Sequence, residues 1–110
     1  MNVIHDAEKM EFRIDLGLYR AVLMYAKRGK TLDFYHIYVP DPFRHRGIAG
    51  KLLIHAFEYA QKEGLQVFPT CPFIAGDFLK RFPRYQASVS PGAFPFAGEK
   101  KDEERGSGLA

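Results

Sequence analysis

The chain has a single cysteine, Cys71, no tryptophan, and no apolar run longer than residues 21–26. One cysteine excludes an internal disulfide, and with it a small secreted scaffold stapled by bridges; a reducing, cytoplasmic compartment is expected. The apolar run is far below the ~20 residues that cross a bilayer. Residues 1–6 lack the basic start and apolar stretch of a secretory leader, so no membrane partner is expected. Neither sign of charge dominates: 16 Lys and Arg stand against 13 Asp and Glu, a net +3. That excess suits an anionic ligand but is too small, and too interrupted by other residues, for a nucleic-acid surface. Two phosphate-binding signatures are also missing. No Gly-x-Gly-x-x-Gly can be drawn, and Gly47-Ile48-Ala49-Gly50-Lys51 runs into Leu52 where a P-loop needs wider glycine spacing and a Ser or Thr. No metal site is expected.

What remains is a chain of 110 residues, 46% hydrophobic and 26% charged, the balance of one globular domain. Ten Phe and six Tyr predict a core of single aromatic rings. The domain is expected to cover residues 1–96, with residues 97–110 a charged, Gly/Ser-ending tail. Residues 91–96 carry Phe94 and Phe96, placed either on the body or on a partner.

Periodicity divides the body. Over residues 10–16, Phe12, Ile14 and Leu16 alternate with Glu11, Arg13 and Asp15, the mark of a strand with one wet face. Residues 19–27 read as a more fully buried strand, Arg28-Gly29-Lys30 as a hairpin turn, and residues 31–39 as a third strand. From Ile48 the period changes to that of a helix, with Ile48, Leu52, Leu53, Ala56, Phe57 and Ala60 on one stripe and Gly64 as its stop. Residues 65–68 form a short strand, and residues 74–82 a second, shorter helix ended by Pro83. The fold class is mixed α+β: an antiparallel meander followed by a strand–helix–strand unit whose two strands, ending near Val39 and Phe68, are parallel neighbours.

The chemistry concentrates where the long helix opens. A helix start leaves about four N–H groups unpaired and adds positive potential, and a phosphate answers both. Gly47, Ala49 and Gly50 keep that approach clear of side chains, while Arg44, Arg46 and Lys51 add full charges. From the loop alone, a glycine-bearing turn with solvated bases is an equal reading.

The segment Arg44-His45-Arg46-Gly47-Ile48-Ala49 resembles the Gln/Arg-x-x-Gly-x-Gly/Ala motif of the GCN5-related N-acetyltransferases. Residues 35–85 are similar to their smallest branch, matching His36-Ile37-Tyr38-Val39-Pro40, Arg46-Gly47-Ile48-Ala49 and Val67-Phe68-Pro69-Thr70-Cys71 in order. The resemblance implies a compact fold in which two parallel strands splay into a V. It implies acetyl-coenzyme A as cofactor, with the pantetheine arm beside Tyr38 and Val39 and the pyrophosphate on Arg44, His45, Arg46, Gly47, Ile48, Ala49, Gly50 and Lys51. The reaction implied is direct attack of an amine, either a small amine or an exposed protein amine, on the acetyl thioester. A non-catalytic coenzyme A-binding module, or an interaction domain, is the alternative.

His36 is the one histidine on the strand side of this site, and histidine exchanges a proton near neutral pH, so it is the candidate general base; it reads equally as a histidine bonded within the sheet. Cys71 is a candidate thiol for acyl transfer or amine activation, and otherwise a small buried hydrophobe. Two departures from the wider family stand out. Ile37 and Tyr38 replace a strand glutamate, and Asp77 and Phe78 stand where many members carry a tyrosine, with Tyr85 further on. Larger members wall in the acceptor with N-terminal helices; here the chain opens with strand, which implies an open acceptor side. A monomer or weak homodimer is expected.

Overall fold

The computed structural model describes residues 1–91; the expected tail at 97–110 and the Phe94/Phe96 segment lie outside the described residues. Five strands form one sheet in sequence order: β1 (Ile4–Asp6), β2 (Glu11–Leu16), β3 (Tyr19–Arg28), β4 (Thr31–Tyr38) and β5 (Gln66–Phe68). The first four are antiparallel and β5 runs parallel to β4, as the period change at Ile48 requires. The short edge strand β1 was not legible in the sequence. It is held by pairing with β2, by stacking of His5 on Phe12 at 4.2 Å, and by a 2.7 Å hydrogen bond between His5 Nε2 and the Tyr25 hydroxyl.

Helix α1 (Ile48–Lys62) crosses one face of the sheet. All six residues of the expected stripe are buried, with Phe12, Ile14, Leu23, Leu32, Phe34 and Val67 beneath them. The helix ends as Gly64 predicts: at φ 69° it lets the Leu65 amide reach back to the Ala60 carbonyl at 2.8 Å. Phe57 is the hinge of the core, within 5.5 Å of Phe34, Phe78 and Tyr85 by ring centroid. No helix among the described residues is long and apolar enough to cross a membrane.

Two strand expectations need correction. The expected buried strand at residues 19–27 is buried on one side, at Ala21, Leu23 and Tyr25, while the alternating Val22, Met24 and Ala26 stay half-exposed. The expected wet face of β2 is partly dry: Glu11 is buried, and Arg13 Nη1 reaches both Asp6 at 3.0 Å and Glu11 at 3.3 Å. Ion pairing between neighbouring strands lets these charges cover the sheet with their aliphatic stems.

After β5 the chain winds as a π-helix, Phe73–Phe78, which runs directly into the helical turn α2 (Leu79–Arg81) before Pro83 stops it. The sequence pattern anticipated the helix and not its wide winding. Ile74, Phe78 and Leu79 anchor the segment in the core.

Candidate functional site

The site begins where β4 and β5 part. Their pairing covers only Thr31, Asp33 and the residue between them, opposite Gln66–Phe68. Pro69 then ends β5, because proline has no amide to continue the ladder. The Thr70 hydroxyl donates to Asp33, and the Cys71 amide donates to the Phe34 carbonyl at 3.2 Å. Beyond that bond the chain turns away into the π-helix. Residues 35–38 of β4 thus keep β3 on one side and have no strand on the other. Eight residues against three is the whole reason for the opening.

A bulge sets which side chains face it. Met24 pairs with His36 and Tyr25 with Phe34, leaving Tyr35 as the extra residue. Residues directly opposite share a face, so Ile37, across from buried Leu23, points toward α1, while His36 and Tyr38 point to the other face with Met24 and Val22. The sequence carried this signal: apolar residues fall at 32 and 34, then at 37 and 39, a slip of one in the period.

Between β4 and α1, residues 40–47 form a fastened loop. The Phe43 amide bonds the Pro40 carbonyl at 2.8 Å, closing a turn over Asp41–Phe43. Arg44 Nε donates to the Val39 carbonyl at 2.9 Å and Nη1 lies 2.9 Å from Asp41. Arg44, expected to be a phosphate ligand, therefore ties the end of β4 to the loop. The Arg46 guanidinium lies over the Phe43 ring, 5.6 Å from its centre. His45 and Gly47 both take left-handed backbone, φ 64° and 78°, an uncommon conformation for a histidine.

Gly47 caps α1 with no side-chain bond, and the first helical closure is the Lys51 amide to the Gly47 carbonyl at 3.0 Å. The amides of Ile48, Ala49 and Gly50 have no protein acceptor among the described residues. A Cβ built on Gly47 or Gly50 would meet nothing within 4 Å, so no neighbouring group crowds either position. Three free N–H groups at the positive end of a 15-residue helix, with no side-chain cap on them, fit a phosphate group.

One cavity joins these parts. Tyr38 of β4 and Val39 just after it, Arg44 and His45 of the loop, the cap Gly47, and Ile48, Ala49, Gly50 and Lys51 of α1 all line it, and Cys71 lines it at the splay. Ile48 is 2% exposed, so it contributes its amide and its side chain belongs to the core. His36 and Arg46 are not among the lining residues: His36 lies two residues further back along β4 than Tyr38, on the same face, and the Arg46 guanidinium leans on Phe43. Of the two candidate catalytic residues, Cys71 lines this cavity and His36 does not. Tyr85 is also elsewhere. It is buried, with its hydroxyl donating to Glu58 at 3.2 Å and accepting from Arg84 at 3.0 Å. On the far wall stand Phe73, Asp77, Lys80 and Arg81, of which sequence reasoning singled out only Asp77.

Comparison with known proteins agrees with this geometry. A family profile described as GCN5-related N-acetyl-transferase matches residues 9–89. Protein NATD1 of Xenopus tropicalis is 38% identical over 96 residues, covering 83% of this chain and 87% of that protein. Protein NATD1 of Bos taurus is 36% identical and that of Homo sapiens 35%, each over 96 residues and 84% of its own length. From the splayed strand pair, the open helix start and these matches together, the chain belongs to the GCN5-related N-acetyl-transferase family.

Proposed function

We propose that the cavity binds acetyl-coenzyme A and that the domain transfers the acetyl group to an amine. The observation that carries this is the open amide fan of residues 48–50 at the mouth of the β4–β5 splay. A diphosphate accepts from the fan, with Lys51 beside it. The pantetheine arm, which carries two amides, lies along the free edge of β4 near Tyr38 and Val39 and pairs with it as an added strand would. The thioester then reaches the splay, where Cys71 stands.

The acceptor amine attacks the thioester carbonyl. The N–C bond forms, the C–S bond breaks, the amine loses a proton and the departing thiolate gains one. A backbone N–H around Val39 steadies the developing oxyanion. The acceptor arrives through the splay from the face opposite α1, where His36 and Tyr38 point, and His36 receives the proton. With Tyr85 buried against Glu58, the thiolate takes its proton from water. That face carries no helix among the described residues, which suits an amine on a peptide or protein chain as well as a small one.

The test is unfolding temperature with and without acetyl-coenzyme A, followed by thiol release with a panel of amines. A ligand that binds only the folded state must raise the midpoint. No rise at millimolar acetyl-coenzyme A refutes the reading; a rise without thiol release from any amine leaves a binding module.

A further inference from the structure

The loop expected to supply the cations is short of them. Arg44 is held by the Val39 carbonyl and Asp41, and Arg46 is outside the cavity. Only Lys51 remains beside the amide fan. Across the groove, Lys80 and Arg81 line the same cavity from the α2 side. Both are exposed, and neither has a carboxylate within ion-pair distance among the described residues. Their backbone is fixed, because the two preceding residues, Phe78 and Leu79, are 2% and 1% exposed and sit in the core. Two adjacent cations on an anchored turn, lining the same cavity as the α1 start and without an ion-pair partner among the described residues, can take an anion of their own.

Coenzyme A carries one beyond its diphosphate. The 3′-phosphate of its ribose is a monoester with a charge of about −1.5 to −2 at neutral pH, the most concentrated charge on the molecule. We propose that Lys80 and Arg81 hold this 3′-phosphate, which makes them the residues that select coenzyme A over its dephosphorylated form. The proposal rests on the reading of the cavity given above. With the diphosphate on the amide fan, the pantetheine arm runs inward to Cys71 and the adenosine end must leave along the groove between α1 and α2. Two carboxylates line that groove as well. Glu58 accepts from the Tyr85 hydroxyl, and Asp77 precedes Arg81 by one turn. With Lys51, the two make three cations against these two carboxylates, so the groove attracts an anion only while both Lys80 and Arg81 are present.

The experiment is calorimetric titration of the full chain with coenzyme A and with 3′-dephospho-coenzyme A, for the native protein and for the double variant Lys80→Ala/Arg81→Ala. Both positions are exposed, so the variant keeps its fold, which its unfolding midpoint checks. The native protein is expected to bind coenzyme A at least tenfold more tightly than the dephospho form at low salt, and the preference shrinks as salt rises. The double variant is expected to bind both ligands equally, at the affinity of the native protein for the dephospho form. Equal native affinities overturn the proposal while leaving the cavity reading intact, as does a double variant that keeps the native preference. Failure of the native protein to bind either ligand overturns the cavity reading itself, and the proposal with it.

Discussion

Gly47 tests the anion site most directly, because its backbone and its empty surroundings make separate contributions. At φ 78° it caps α1 in a conformation that costs an ordinary L-residue roughly 1–2 kcal/mol. Gly47→Ala therefore lowers unfolding stability by about that much, and each kcal/mol is worth roughly 4–8 °C in midpoint for a domain of this size. Asparagine enters the left-handed region more easily, so Gly47→Asn should sit closer to the native midpoint. Both substitutions put atoms into the space that is open for 4 Å in front of Gly47, and the asparagine side chain fills more of it. At a hundredfold excess over its Kd, acetyl-coenzyme A stabilises the native protein by about 2.7 kcal/mol, a rise of roughly 10 °C or more. In thermal scans by dye fluorescence or calorimetry, both variants are expected to lose most of that rise, Asn more than Ala although its own fold is the less disturbed. A Gly47→Asn protein that gains as much as the native one from acetyl-coenzyme A would refute the reasoning, since the phosphate would then not approach these amides.

Three other outcomes are expected. Burial, and secondarily the nearby His55, hold the His5 imidazole below its ordinary pKa despite Asp6; the unfolded chain then binds a proton that the folded chain resists, so stability falls as pH drops below about 6.5 and continues to fall until the lowered folded value is passed. Urea midpoints between pH 7.5 and 5 should show this slope, and His5→Gln should flatten it. Phe57→Ala, which removes a ring packed on Phe34, Phe78 and Tyr85, should cost about 3–5 kcal/mol out of the ~5–15 kcal/mol that holds such a domain together, and be read as a large fall in the unfolding midpoint. Under direct attack, intact mass after incubation with acetyl-coenzyme A and no acceptor stays that of the free chain, and Cys71→Ala still binds the coenzyme; acetyl carried on Cys71 would instead establish a covalent step.

The meander, the six-residue stripe of α1, the stop at Gly64, the parallel partner strand and the small-residue helix start were all legible in the sequence. Each depends on local period or on backbone freedom that one residue type supplies. Tertiary structure alone decided the rest. Arg44 and Lys51 look alike in a sequence, yet one is consumed by the Val39 carbonyl and Asp41 while the other faces the groove, because only the folded loop brings acceptors to the first. The bulge at Tyr35 was present as a slip in the apolar period, but its effect, turning His36 to the face opposite α1, depends on which strand lies opposite. Lys80 and Arg81 gave no local signal at all. They join the site because Phe78 and Leu79 bury themselves beside α1, and burial is a property of the assembled core rather than of any stretch of chain.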